Sequence, residues 1–209
     1  MEKSLNFVEF YKQGITIIYA IVIALSIDAS KGIFIPFYSI PANLLNATVL
    51  FYGYFIVITS WSEYFFFTQK FQQHGKFGIG RFVLDLGILF LFYYIIIAAS
   101  NGNGENLIPD VYLFVTPLIF FLFTLSDVFR IREYPNKALL KFRNTSRSFL
   151  FISILLSLSY LSETYATGFQ SLGSLAFYRD LIFGYLTLLL VVIYRIIRWR
   201  QINAAVTPP

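Results

Sequence analysis

A chain of 209 residues that is 57% hydrophobic, 20% aromatic and only 13% charged has about half the charge of a soluble domain, where roughly a quarter of residues are charged. Most of it is therefore built for lipid, and its net charge of +5 reads as membrane orientation and attraction to anionic headgroups rather than as a nucleic-acid footprint. With no cysteine, disulfides, thiolate metal sites and cysteine nucleophiles are excluded.

Six apolar stretches follow along the chain, at about 13–29, 44–67, 79–99, 111–129, 147–163 and 179–197. None alternates with the period of two that a barrel strand needs, and lipid otherwise admits only helices. The expected fold is an all-α integral membrane protein, a single bundle of six transmembrane helices. The first stretch ends in small residues, Ala24 to Ser30, like a signal-peptide cleavage region. Glu2 and Glu9 spoil the positive n-region of such a signal, so the stretch is taken as a crossing.

Between the first two stretches, Lys31 to Asn46 alternates Phe34, Ile35, Phe37, Tyr38 and Ile40 with Pro36 and Pro41, which predicts a segment along the interface. Asn101-Gly-Asn-Gly104 reads as a turn cluster. Arg130 to Arg147 is expected to be a long basic loop around Pro135, packed on the lipid surface or docking a cytosolic protein. Its cations Arg132, Lys137, Lys141, Arg143 and Arg147 form that surface together with Arg195, Arg198 and Arg200. The last three, with Trp199, have the composition of an interfacial anchor.

Fourteen of the sixteen Lys and Arg residues fall in alternate gaps; only Lys31 and Arg179 fall in the others. By the positive-inside bias both termini are cytoplasmic, in the plasma (cytoplasmic) membrane. The uncharged runs are short, about 15 residues or about 22 Å of helix against a hydrocarbon core of about 30 Å. Asp28, Asp85, Asp127, Glu163 and Asp180 must then sit at the headgroup boundary or just inside it.

A shift of 100 residues superimposes Thr16 on Thr116, Leu25-Ser26 on Leu125-Ser126 and Ser62-Glu63 on Ser162-Glu163. The repeated unit has three helices, so its second copy enters from the opposite side, which suggests an inverted 3+3 repeat of the kind common in transporters.

Intramembrane charge is where chemistry is expected, because each charge is costly there and needs a reason. Glu63, with Thr59 and Ser60 one turn earlier, Arg81 and Asp85 at i,i+4, and Asp127 with Arg130 at i+3 all fall at the inner ends of their helices. They are expected to converge on a polar vestibule, with Glu163 marking the outer end of a path. Pro117 and Gly184 are read as tolerated kinks rather than broken-helix coordination sites, and Tyr52-Gly-Tyr54 matches a potassium filter only as a dipeptide. The single histidine, His74, lies in a loop and pairs with no serine or metal-ligand partner, so no enzyme, cofactor or metal site is expected. Two functions fit: a channel or transporter for a small cation or proton, and a membrane sensor, anchor or assembly subunit that docks a cytosolic partner on its basic inner face. Sparse small-residue pairs leave self-association open.

Overall fold

The structure, a computed structural model, describes residues 3–35, 44–70, 79–100, 109–133, 137–166 and 173–206. Each of these segments is essentially one helix: α1 (Lys3–Phe34), α2 (Leu44–Lys70), α3 (Ile79–Ser100), α4 (Pro109–Glu133), α5 (Lys137–Ala166) and α6 (Gly173–Val206). Five, α2 to α6, are long and apolar enough to cross a membrane, whereas α1 has a shorter apolar run, Gln13–Asp28. The protein is thus an α-helical multi-pass membrane protein.

Helices α2, α3, α4 and α6 pack in a ring, each against the next, while α1 covers α2 and α3 and α5 covers α4 and α6. The chain reverses at every connection. At one end, the last turns of α2, α4 and α6 meet the first turns of α1, α3 and α5, through Glu63, Arg130, Arg198, Tyr11, Asp85 and Ser146. At the other end Ser30 bonds Tyr54 at 2.8 Å, the Asn46 amide donates to the Ala99 carbonyl at 3.2 Å, and Tyr112 donates to the Asp180 carbonyl at 2.9 Å. Large apolar side chains face outward, among them Phe90, Phe151, Leu158 and Leu189, while Glu63, Asp127, Arg195 and Arg198 are buried. That polarity is the reverse of a water-soluble surface and suits lipid on the outside.

Several expected boundaries move. α1 continues through Lys31 to Phe34 and α2 begins at Leu44, so both ends of the expected interfacial segment are helical; residues 36–43 lie outside the described residues. The basic loop expected from Arg130 to Arg147 is helical on both flanks, closing α4 and opening α5, with 134–136 outside the described residues. The cause is an apolar stripe: Leu139, Phe142, Ser146 and Phe149 are buried at helical spacing, and Leu139 and Phe142 pack with Ile202 and Ile131 in a small second core. Gln201 of α6 ties this end to α5 by donating to Thr145 at 2.7 Å. The expected turns around His74 and Asn101 to Gly104 lie outside the described residues.

Close helix approach is written in glycine. A Cβ on Gly53 of α2 would stand 2.5 Å from Cγ1 of Ile96 on α3, so the Ile96 side chain packs onto the α2 backbone in the space that a side chain would take.

Candidate functional site

Glu63 is the centre of the basic end. Its Oε1 accepts from Arg130 Nη1 at 2.8 Å and from Arg198 Nε at 3.0 Å and Nη2 at 2.9 Å, and its Oε2 accepts from Arg195 Nη1 at 2.8 Å. Arg198 also spans to Asp127, through Nη1 at 2.9 Å to Oδ2 and through Nη2 to Oδ1. One guanidinium thus joins an acid on α2 to an acid on α4, using the planar fork that lysine lacks. Asp127 Oδ2 further accepts the Ser146 hydroxyl at 2.7 Å, and Ser146 lies 3.1 Å from the Tyr194 hydroxyl. Arg195 donates to Ser60 as well.

Two carboxylates face three guanidiniums in this network, leaving a formal excess of one positive charge. Aromatic faces take up part of it. Arg195 lies 4.8 Å from the Phe123 ring centroid and 5.4 Å from that of Tyr194, and Arg198 lies 4.5 Å from the Phe142 ring. Charges this far from water need such pairing and hydrogen bonding on every side.

Asp85 on α3 stands beside the network rather than in it, accepting a hydrogen bond from Tyr11 of α1. Burial, with the Asp85 charge adding to it, pushes the Tyr11 hydroxyl well above the ordinary tyrosine range, so it remains a proton donor. Arg81 is buried one turn before Asp85. Between Asp85 and the arginine network is a cavity of about 30 Å³, also lined by Ile15, Tyr19, Tyr64 and Ser126. It has room for about one water molecule.

The expected convergence of Glu63, Asp85, Asp127, Arg81, Arg130 and Ser60 on one end is thus what the helices bring together. Thr59 turns back on its own helix, donating to the Phe55 carbonyl at 2.6 Å. Glu163 is exposed near the far end of α5 and lies apart from the cavity.

Arg195 and Arg198 depart from the expected surface anchor: they are only 6% and 2% exposed and point charge into the bundle, because Glu63 and Asp127 offer them partners there. The signal for them was their i,i+3 spacing, which sets both on one face of α6 while Ile196 and Trp199 are exposed. Of the other expected surface cations, Arg132, Lys141, Arg147 and Arg200 are exposed and Arg143 is half-buried. Lys137 opens α5, and its side chain lies outside the described residues.

The opposite end has a smaller polar knot. Arg179 pairs with Asp180 at 2.9 Å and lies 4.8 Å from the Tyr160 ring centroid, and Tyr160 donates to Asp180 at 3.1 Å. Lys31 and Asp28, both well exposed, pair at 2.8 Å, a contact worth little in free energy. Among the described residues no three His, Asp or Glu side chains gather as a metal site would require. Compared with family models, curated proteins and solved structures, the chain matches none of them.

Proposed function

We propose that this multi-pass membrane protein is a non-enzymatic anchor or assembly subunit of the plasma (cytoplasmic) membrane, which presents a rigid basic platform to an anionic cytosolic partner. In this reading all six helices cross, and both termini and the arginine-rich end face the cytosol, following the charge bias of the gaps. The observation that carries it is the first three turns of α5. Lys141, Asn144, Arg147 and Ser148 are exposed along them, while Leu139, Phe142 and Ser146 are buried against α4 and α6. At about 45 Å for α5 and about 51 Å for α6, these helices outrun a hydrocarbon core of about 30 Å, so their basic ends have length to stand clear of it.

Against cation passage stands the arginine network. A carboxylate that draws a cation must have charge to spare, and Glu63 and Asp127 face an excess of guanidinium. Passage of a proton keeps one specific support, the Tyr11 to Asp85 hydrogen bond at the cavity wall. An inverted repeat has no part in this reading, since Glu63 is buried where its match Glu163 is exposed.

Reconstitution into liposomes separates the readings. The anchor predicts proton and potassium flux equal to that of empty vesicles. It also predicts crosslinking, in the native membrane, from photoreactive groups at the exposed positions 144 and 148 to one discrete acidic protein, lost when Lys141 and Arg147 are both reversed to Glu. Proton flux that disappears in Asp85→Asn would overturn it in favour of transport.

A further inference from the structure

The network has a second side. Between α2 and α6 a groove of about 420 Å³ opens, lined by Phe55, Thr59, Ser62, Ile196, Trp199 and Ile202, with Glu63, Arg195, Arg198 and Arg200 along it. Its volume is in the range of about 300–1,000 Å³ typical of ligand sites. Phe55 to Ser62 on α2 and Arg195 to Ile202 on α6 each cover about 10 Å of helix, and both run toward the basic end. One end of the groove is therefore apolar and lies toward the bilayer interior, and the other is cationic and lies where α6 leaves it.

We propose that this groove binds one anionic phospholipid, its phosphate held at Arg200 and drawn by the excess charge of Arg195 and Arg198, and an acyl chain laid toward Phe55. Two features support this occupant. With Arg200 on the groove, four guanidiniums, Arg130, Arg195, Arg198 and Arg200, stand at this end against Glu63 and Asp127, so the field at the polar end favours an anion. The remaining lining lies within the candidate spans Leu44–Phe66 and Ala176–Ala204, so what fills the apolar part must come from the bilayer. A phosphate with an acyl chain meets both demands, whereas a zwitterionic lipid meets only the second. The inference stands apart from partner docking on α5, since no residue of that platform lines the groove.

Trp199 reports directly on the groove, and the chain has two tryptophans. In full-length Trp61→Phe protein, held in phosphatidylcholine nanodiscs, Trp199 becomes the only indole. Chain-brominated phosphatidylglycerol is then expected to quench it at about tenfold lower mole fraction than chain-brominated phosphatidylcholine, as a charge-assisted contact implies. Arg200→Gln, a change at an exposed side chain, should bring the two curves together, and Thr59→Phe, which fills the groove from α2, should remove the preference without touching a charge. Equal quenching by the two lipids in Trp61→Phe would mean ordinary bilayer contact and overturn the proposal. So would displacement of the brominated lipid by soluble glycerol phosphate, which would assign the site to a free anion, or a preference that survives Thr59→Phe.

Discussion

Glu63 is the residue on which most of the buried charge depends. Replacing it with Gln keeps the shape but leaves Arg130, Arg195 and Arg198 facing Asp127 alone, so their formal excess rises from one to two. Breaking a buried pair from one side costs about 3–5 kcal/mol, and Glu63→Gln is expected to lose that much in a denaturant titration of the detergent-solubilised protein. Glu63→Gln with Arg195→Gln removes one charge of each sign, so its loss should be smaller than the sum of the single variants. Additive losses would mean that the two side chains do not interact. Glu63, Asp127 and Arg130 were legible in the sequence because an isolated charge in an apolar run stands out. Arg195 and Arg198 were not, because Arg-Ile-Ile-Arg-Trp-Arg at a helix end has the composition of an anchor, and only the acids on α2 and α4 decide which way the side chains turn. Glu163, whose Ser159 at i−4 copies the local pattern of Thr59 before Glu63, is exposed on α5 where Glu63 is buried.

At the scale of elements, the helix cores were legible from apolar run length, and their ends were not, because charged residues that look like loop are the solvated face of α5 and the first turns of α1. α4 holds the clearest example of helices repairing one another. Pro117 has no N–H, so the Leu113 carbonyl four residues earlier loses its intrahelical donor. The Ser157 hydroxyl of α5 donates to that oxygen at 2.6 Å, as bilayer helices require of a neighbour. Ser157→Ala is expected to cost about 0.6–2 kcal/mol, the span found for interhelical hydrogen bonds in lipid. The same change in a Pro117→Ala background should cost less, since an alanine at that position supplies the missing donor. A double-mutant cycle measures the difference, and a cycle that closes at zero would deny the link. Gly53 makes the complementary point through shape. Gly53→Ala places a methyl group against Ile96, and overpacking of this kind is expected to cost about 1–3 kcal/mol, read as a lower midpoint of thermal unfolding.

For the whole molecule, what alternating charge along the chain made visible is the sense of each turn: helix ends that share a basic gap are the ends that meet in space. What it left undecided is whether α1 crosses. The apolar run Gln13–Asp28 covers about 24 Å against a core of about 30 Å, so α1 spans only if its ends are drawn toward the interfaces. Its contacts favour that, because Tyr11 meets Asp85 near one end of α1, and Ser30, near the other end, meets Tyr54 midway along α2. The absence of cysteine makes the chain its own background for a labelling test with a membrane-impermeant maleimide. Exposed positions at the two ends are Gln13, Lys141 and Ala204 at the basic end, and Lys31 and Ser162 at the other. Single cysteines at Lys31 and Ser162 should react in intact cells, and those at Gln13, Lys141 and Ala204 only after the membrane is opened. Reaction of Gln13→Cys in intact cells along with Lys31→Cys would place α1 on one side, reduce the bundle to five crossings and put the two termini on opposite faces of the membrane.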